Sequence, residues 1–213
     1  MKEDFNIALN KELLAEMPLV EFDGEITVAD TPEAAREALE YLSTQRTVGF
    51  DTETRPNFRK GQNHRVALIQ ISTETRSFLF RICSIGLMPE ITAFMENPEI
   101  TKIGLSLKDD FHNLHKISEF NPEGFIELQQ MVRDYRISDS SLQKIYGILF
   151  DQRISKGQRL SNWEAPELTE AQQRYAAIDA WACLEIYNRL SAGDFDPVES
   201  PYKVYPEPEL KEE

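Results

Sequence analysis

Thr47-Val-Gly-Phe-Asp51, Val66-Ala-Leu-Ile-Gln-Ile71 and Ser77-Phe-Leu-Phe-Arg-Ile82 are three short runs rich in β-branched and aromatic residues. Runs of this length and composition read as strands. The short links between them predict an antiparallel meander. Working outward, Glu25-Ile-Thr-Val-Ala-Asp30 reads as a further strand. Thr31-Pro32 then offers a cap followed by proline at the first helical position, opening a helix over 33–45. Residues 85–95 read as helix, 100–105 as extended, and 110–117 and 141–150 as helices. Thr169-Glu-Ala-Gln172 is a capping box that opens the last helix, and Gly193 supplies its stop. This alternation predicts an α/β layer fold, with a mixed central sheet flanked by helices.

The 213 residues suit one domain with a core, being 41% hydrophobic and 28% charged. The reading divides them into an N-terminal extension (1–24), one domain (25–193) and an acidic, Pro-rich tail (194–213). No apolar run reaches the length of a membrane span, and the N-terminus lacks the layout of a secretory signal. The two cysteines, Cys83 and Cys183, stand far apart, which argues against a disulfide framework or a zinc cluster. A cytoplasmic protein without a membrane partner is the expectation. No protein partner can be inferred.

Net charge is −14, which is unfavourable for long-range attraction of nucleic acid. The charge is unevenly distributed. From Asp194 onward seven acids face only Lys203 and Lys211. Two stretches hold cations and no acid: Arg55, Arg59, Lys60 and Arg65 within 55–65, and Arg153, Lys156 and Arg159 within 153–159. Such loops are ordinarily just solvated. They are also suited to phosphate contact, and Arg55, Arg59, Lys60, Arg65, Lys156 and Arg159 are the candidate substrate-binding residues.

Four carboxylates carry the chemical signal. Asp51 and Glu53 lie two apart at a strand end and so share a face. Asp110 opens a helix just after an extended segment. Tyr175 and Asp179 lie four apart on the last helix, stacked one turn apart. Each piece alone has an ordinary reading, as a turn, a cap or a packing tyrosine. Together they could converge on one point. Clustered hard oxygen ligands suit Mg²⁺ or Mn²⁺, and two such ions can stabilise both the attacking and leaving oxygens of a phosphodiester. A tyrosine hydroxyl beside the attacking water can orient it and help remove its proton.

The motifs resemble the DEDDy 3′→5′ exonucleases, the group that includes ribonuclease D and the Werner syndrome exonuclease domain. The resemblance rests on Val48-Gly-Phe-Asp51-Thr-Glu53-Thr, on Lys102-Ile-Gly-Leu-Ser-Leu-Lys-Asp-Asp110-Phe-His-Asn-Leu114 and on Ser141-Leu142-Gln143. Most specific is the segment from Leu160-Ser-Asn-Trp163 through Gln172-Gln-Arg-Tyr175-Ala-Ala-Ile-Asp179-Ala-Trp181. It covers residues 25–191. It implies a ribonuclease H-like fold, two Mg²⁺ or Mn²⁺ ions held by Asp51, Glu53, Asp110 and Asp179, and Tyr175 as the water-positioning group. It also implies DNA or RNA 3′ ends as partners and nucleoside 5′-monophosphates as products. Asp110 is preferred to Asp109 because Leu114, four residues on, falls where the family packs an apolar residue. The resemblance does not extend to the helical C-terminal domains of ribonuclease D or to the Werner helicase, so it implies no choice between DNA and RNA.

Trp163 reads as a packing anchor. His64, His112 and His115 lack the company a metal site needs. Phe58 is a candidate for base stacking or for anchoring its loop. The alternative from another class is a non-catalytic nucleic-acid-binding module on the same fold. No GxxxxGK[ST] or GxGxxG string occurs, which weighs against a phosphate-loop or dinucleotide-binding enzyme.

Overall fold

The computed structural model describes residues 4–59 and 61–206. Lys60, from the first basic loop, and Glu207–Glu213, from the acidic tail, lie outside the described residues. In chain order the elements are β1 (Asn6–Ile7), α1 (Lys11–Glu16), β2 (Glu25–Ala29), α2 (Pro32–Leu42), β3 (Thr47–Thr54) and β4 (Val66–Ser72). They continue with β5 (Arg76–Phe80), α3 (Ile82–Ile85), α4 (Pro89–Met95), β6 (Thr101–Gly104) and α5 (Leu107–Leu114). The last are β7 (Phe125–Glu127), α6 (Leu128–Asp134), α7 (Leu142–Phe150), α8 (Glu170–Ser191) and β8 (Lys203–Val204).

Six strands form one mixed sheet in the order β2-β5-β4-β3-β6-β7. The centre is the antiparallel meander β3-β4-β5 expected from the sequence. β2 joins β5 in parallel, and β6 and β7 extend the other side in parallel from β3. All seven residues of β4 are buried, because helices cover both faces of the sheet. On one face Val48, Phe50, Ile69, Ile71, Phe78 and Phe80 pack against Ala35, Ala38, Leu39 and Leu42 of α2, with Ile91 of α4 and Leu107 of α5. On the other face lies α8, with α7 and the N-terminal residues Phe5, Ile7, Leu9, Val20 and Phe22 beside it. β1 pairs with β8, which ties residues 6–7 to residues 203–204.

Local chemistry accounts for the helix starts. The Thr31 hydroxyl accepts from Ala34 N at 3.2 Å, with Pro32 following at the first helical position. Thr169 and Gln172 close the capping box of α8. Two boundaries differ from the sequence expectation for reasons the structure makes plain. The helix expected over 85–95 is two pieces, because Gly86 takes a φ of 70° and Pro89 restarts the chain as α4. The helix expected over 110–117 begins at Leu107, so Asp110 sits within its first turn rather than opening it. Its cap comes from far along the chain: the Glu127 carboxylate accepts from Ser106 N at 3.0 Å and Leu107 N at 2.8 Å. No helix among the described residues is long and apolar enough to cross a membrane.

Candidate active site

Asp51 and Glu53 leave β3 on the face that α8 covers. The two elements touch closely: a Cβ on Gly49 would lie 1.8 Å from the Ala180 carbonyl oxygen, so only glycine fits there. This approach sets Asp179 of α8 beside the strand. One carboxylate oxygen from each of Asp51, Glu53 and Asp179 lies within 4.8 Å of the others. Tyr175, one turn earlier on α8, donates its hydroxyl to the Asp179 carboxylate.

Asp110 reaches the site from the opposite face. Thr52, between the two acids of β3, points away from α8, and its hydroxyl donates to Asp110 Oδ1. Asp110 is half-buried, whereas its neighbour Asp109 is exposed. Asp110 is near enough to raise the pKa of Glu53 and to be raised by Asp51.

Burial and mutual repulsion push the four acids away from their ordinary range. Burial, then the Asp179 charge, raises Asp51 well above that range. Burial, then the charges of Asp51, Asp179 and Asp110, raises Glu53 to about 10, with Arg159 opposing. Asp110 rises to about 8, mostly through burial and then Asp51, while the Thr52 hydrogen bond works against the rise. Asp179 rises to about 7 through burial, restrained by the Tyr175 hydroxyl. Burial and the neighbouring acids also raise the Tyr175 phenol, so in the ion-free protein it stays protonated.

The acids open into a cleft of about 270 Å³, shared with Lys156, Arg159 and Cys183 and with Leu105, Leu142 and Gln143. Of the candidate substrate-binding residues, Lys156 and Arg159 thus line the cleft. Arg55 lies in an ion pair 3.2 Å from Glu164, and His64 Nδ1 meets the other oxygen of the same carboxylate at 2.9 Å. Arg65 is exposed and lines a different cavity, with Asn63 and Ile117. Arg59 is exposed in its loop. Trp163 is fully buried, with its ring 6.0 Å from that of Tyr175, so it is a packing residue. Phe58 is 71% exposed. His112 and His115 are exposed.

Several residues near the site escaped the sequence reading. Thr52 was hidden as the middle residue of Asp-Thr-Glu, although period-two alternation puts it on the opposite face. Gln70 lies directly across from Asp51 on β4, sealed, with neither amide atom hydrogen-bonded. A lone glutamine inside an apolar strand was its available signal. Glu164, which joins the first basic loop to the segment before α8, left no local signal at all.

A sequence-family model described as 3′-5′ exonuclease matches residues 26–192. Among relatives, the mouse bifunctional 3′-5′ exonuclease/ATP-dependent helicase WRN is 32% identical over 184 residues, spanning 82% of this chain and 13% of that protein. A 3′-5′ exonuclease of Arabidopsis thaliana is 29% identical over 194 residues, spanning 81% of this chain and 66% of that one. The chain therefore spans less than two thirds of either relative. The crystal structure of the Aedes aegypti Nibbler exonuclease domain superposes with a TM-score of 0.72 at 21% identity, covering 84% of this chain and 96% of that one. It shares the ribonuclease H-like α/β fold expected from the sequence. The chain belongs to the 3′-5′ exonuclease family.

Proposed function

We propose that this member of the 3′-5′ exonuclease family is an active, divalent-metal-dependent enzyme. It hydrolyses the terminal phosphodiester at the 3′ end of DNA or RNA and releases nucleoside 5′-monophosphates. The observation that carries this reading is the close approach of Asp51, Glu53 and Asp179 within 4.8 Å, in surroundings that raise all three. Such a cluster opposes folding, and among the described residues Lys156 and Arg159 are the cations that line its cleft.

The donor set suits Mg²⁺ or Mn²⁺: three hard carboxylate oxygens at one point, with Asp110 as a fourth acid alongside. Asp51, Glu53, Asp179 and Asp110 would hold two such ions. Bound there, the ions would stabilise charge on the attacking and leaving oxygens of the phosphate. Tyr175 has the role of orienting the attacking water. In the ion-free protein its phenol donates to Asp179, which holds the hydroxyl beside the acids where it can hydrogen-bond that water. Lys156 and Arg159 meet the phosphates in the cleft. Arg55, Arg59 and Arg65 would lie along the path of the approaching chain, with Arg55 held in place by Glu164, and Lys60 is a candidate for phosphate contact from its sequence alone. Two free cysteines, one exposed and one buried, accord with a reducing cytoplasm.

The test is turnover of matched single- and double-stranded DNA and RNA with Mg²⁺ or Mn²⁺, each also with its 3′ end blocked. Stepwise shortening that a 3′ block stops and a 5′ block does not is the expected outcome. Binding without shortening would replace the enzyme reading with that of a non-catalytic nucleic-acid-binding module.

A further inference from the structure

The cleft is lined by more than acids and cations. There the first turn of α7 presents Gln143, with Leu142 beside it and Leu105 from the end of β6. Gln143 is only 9% exposed. Its carboxamide makes no hydrogen bond among the described residues. Yet it is not sealed as the Gln70 amide is, since neither of its polar atoms is cut off from the cleft. A mostly buried amide without a partner is costly, and nearly all such groups in folded proteins are satisfied by protein, water or ligand. This one faces the space beside the candidate catalytic acids.

We infer that Gln143 pairs with the polar edge of the 3′-terminal nucleobase, which sits between Leu105 and Leu142. The inference rests on the exonuclease reading and adds how the terminal nucleotide is held. The cleft, about 270 Å³, is small for a ligand site and has room for one nucleotide unit, not for a duplex. Acids, Lys156 and Arg159 suit the phosphate end, and two half-buried leucines suit the flat faces of a base. A carboxamide presents a donor and an acceptor side by side. Each of the four bases also has a donor next to an acceptor on its pairing edge. The amide can turn over about its last torsion, so one side chain fits all four. A sugar hydroxyl would engage only half of that amide and leave the other half unpaired. Gln143 thus gives a hold on any base with little preference among them, as stepwise removal of nucleotides requires.

The experiment compares binding of UMP, dUMP and ribose 5-phosphate to the full chain with saturating Mg²⁺, for the parent and for Gln143→Leu. The expected result is that Gln143→Leu weakens UMP and dUMP alike by about tenfold and leaves ribose 5-phosphate unchanged. Leucine replaces an unpartnered polar group, so the melting temperature should hold or rise. Gln143→Met provides the same comparison if leucine perturbs folding. An unchanged ratio of UMP to ribose 5-phosphate affinity would overturn the inference. So would an equal loss for all three ligands, or a loss confined to UMP, which would move the contact to the 2′-hydroxyl. A parent that binds UMP in this Gln143-dependent way but never shortens a 3′ end would sink the exonuclease reading alone.

Discussion

Adding Mg²⁺ to the ion-free protein should release protons, and the acid cluster sets the number. Asp179 titrates near 7, Asp110 near 8 and Glu53 near 10, with Asp51 also well above its ordinary range. At about pH 7.5, a group near 7 is roughly a quarter protonated, one near 8 roughly three quarters, and one near 10 fully so. Those three hold about two protons, to which Asp51 adds. Carboxylates must lose their protons to bind a cation, so about two protons or more should leave on saturation. The release should rise by about one proton at pH 6 and fall by about one at pH 9. Calorimetric titration in two buffers of different ionisation heat measures it directly. The same shifts have a sign for stability. A folded protein with raised carboxylate pKa values holds protons that the unfolded chain has lost. Stability of the ion-free protein should therefore fall as pH rises from about 5 to 8, and Mg²⁺ should flatten that fall. Release below about half a proton at pH 7.5 would refute the reasoning. So would unchanged release from Asp51→Asn with Asp179→Asn.

Three further outcomes follow from the same geometry. Tyr175→Phe should lower kcat by about 10²–10⁴-fold and leave KM and the Mg²⁺-induced melting shift nearly intact, read by single-turnover kinetics; near-parent rates would reduce Tyr175 to a packing residue. Gly49→Ala must push α8 off β3, since its Cβ would sit 1.8 Å from the Ala180 oxygen. It should destabilise by about 3 kcal/mol or more in urea and blunt the Mg²⁺ response, because Asp179 moves with the helix. Lys102 is fully buried, its Nζ 2.6 Å from the Asn97 carbonyl, and burial lowers it from 10.5 to about 8. Between those values the unfolded chain holds a proton the folded one lacks, so this group makes stability rise with pH. Glu53 opposes this over the same range, so the test is the difference between proteins: from about pH 8 to 10 the urea midpoint of Lys102→Met should fall relative to that of the parent, and a constant difference would mean Lys102 is not the titrating group.

What the sequence revealed was what local periodicity and local caps can encode. The meander was legible because β3, β4 and β5 hold runs rich in β-branched and aromatic residues joined by short links, and α8 because Thr169 and Gln172 cap it within three residues. The residues drawn into the site follow the same logic: two-residue spacing in Asp51 and Glu53, four-residue spacing in Tyr175 and Asp179. The parts that stayed hidden depend on partners distant in sequence. β7 is three half-buried residues, and its pairing with β6 defines it. α5 starts early because Glu127, 20 residues away, caps it. β1 and β8 are two residues each and exist only against one another. Arg55 and His64 were readable as a polar loop, but their shared anchor Glu164 lies 109 and 100 residues away.

The cluster also explains the composition of the helix that carries Asp179 and Tyr175. α8 buries Ala176, Ala177, Ala180 and Ala182 within two turns. Larger side chains there would bury more apolar area and add stability, at about 25 cal/mol per Å². They would also hold the helix farther from β3, as would any side chain at Gly49. Alanines on α8 and a glycine on β3 therefore give up apolar contact in return for a short strand-to-helix distance. That distance determines whether Asp179 meets Asp51 and Glu53 at all. At this separation the ion-free acids oppose folding through both desolvation and repulsion. The aromatic and aliphatic packing of the opposite sheet face must then offset them, around Phe50, Phe78 and Phe80. Where α8 crosses β3, contact area is thus given up to bring Asp51, Glu53 and Asp179 within 4.8 Å of one another.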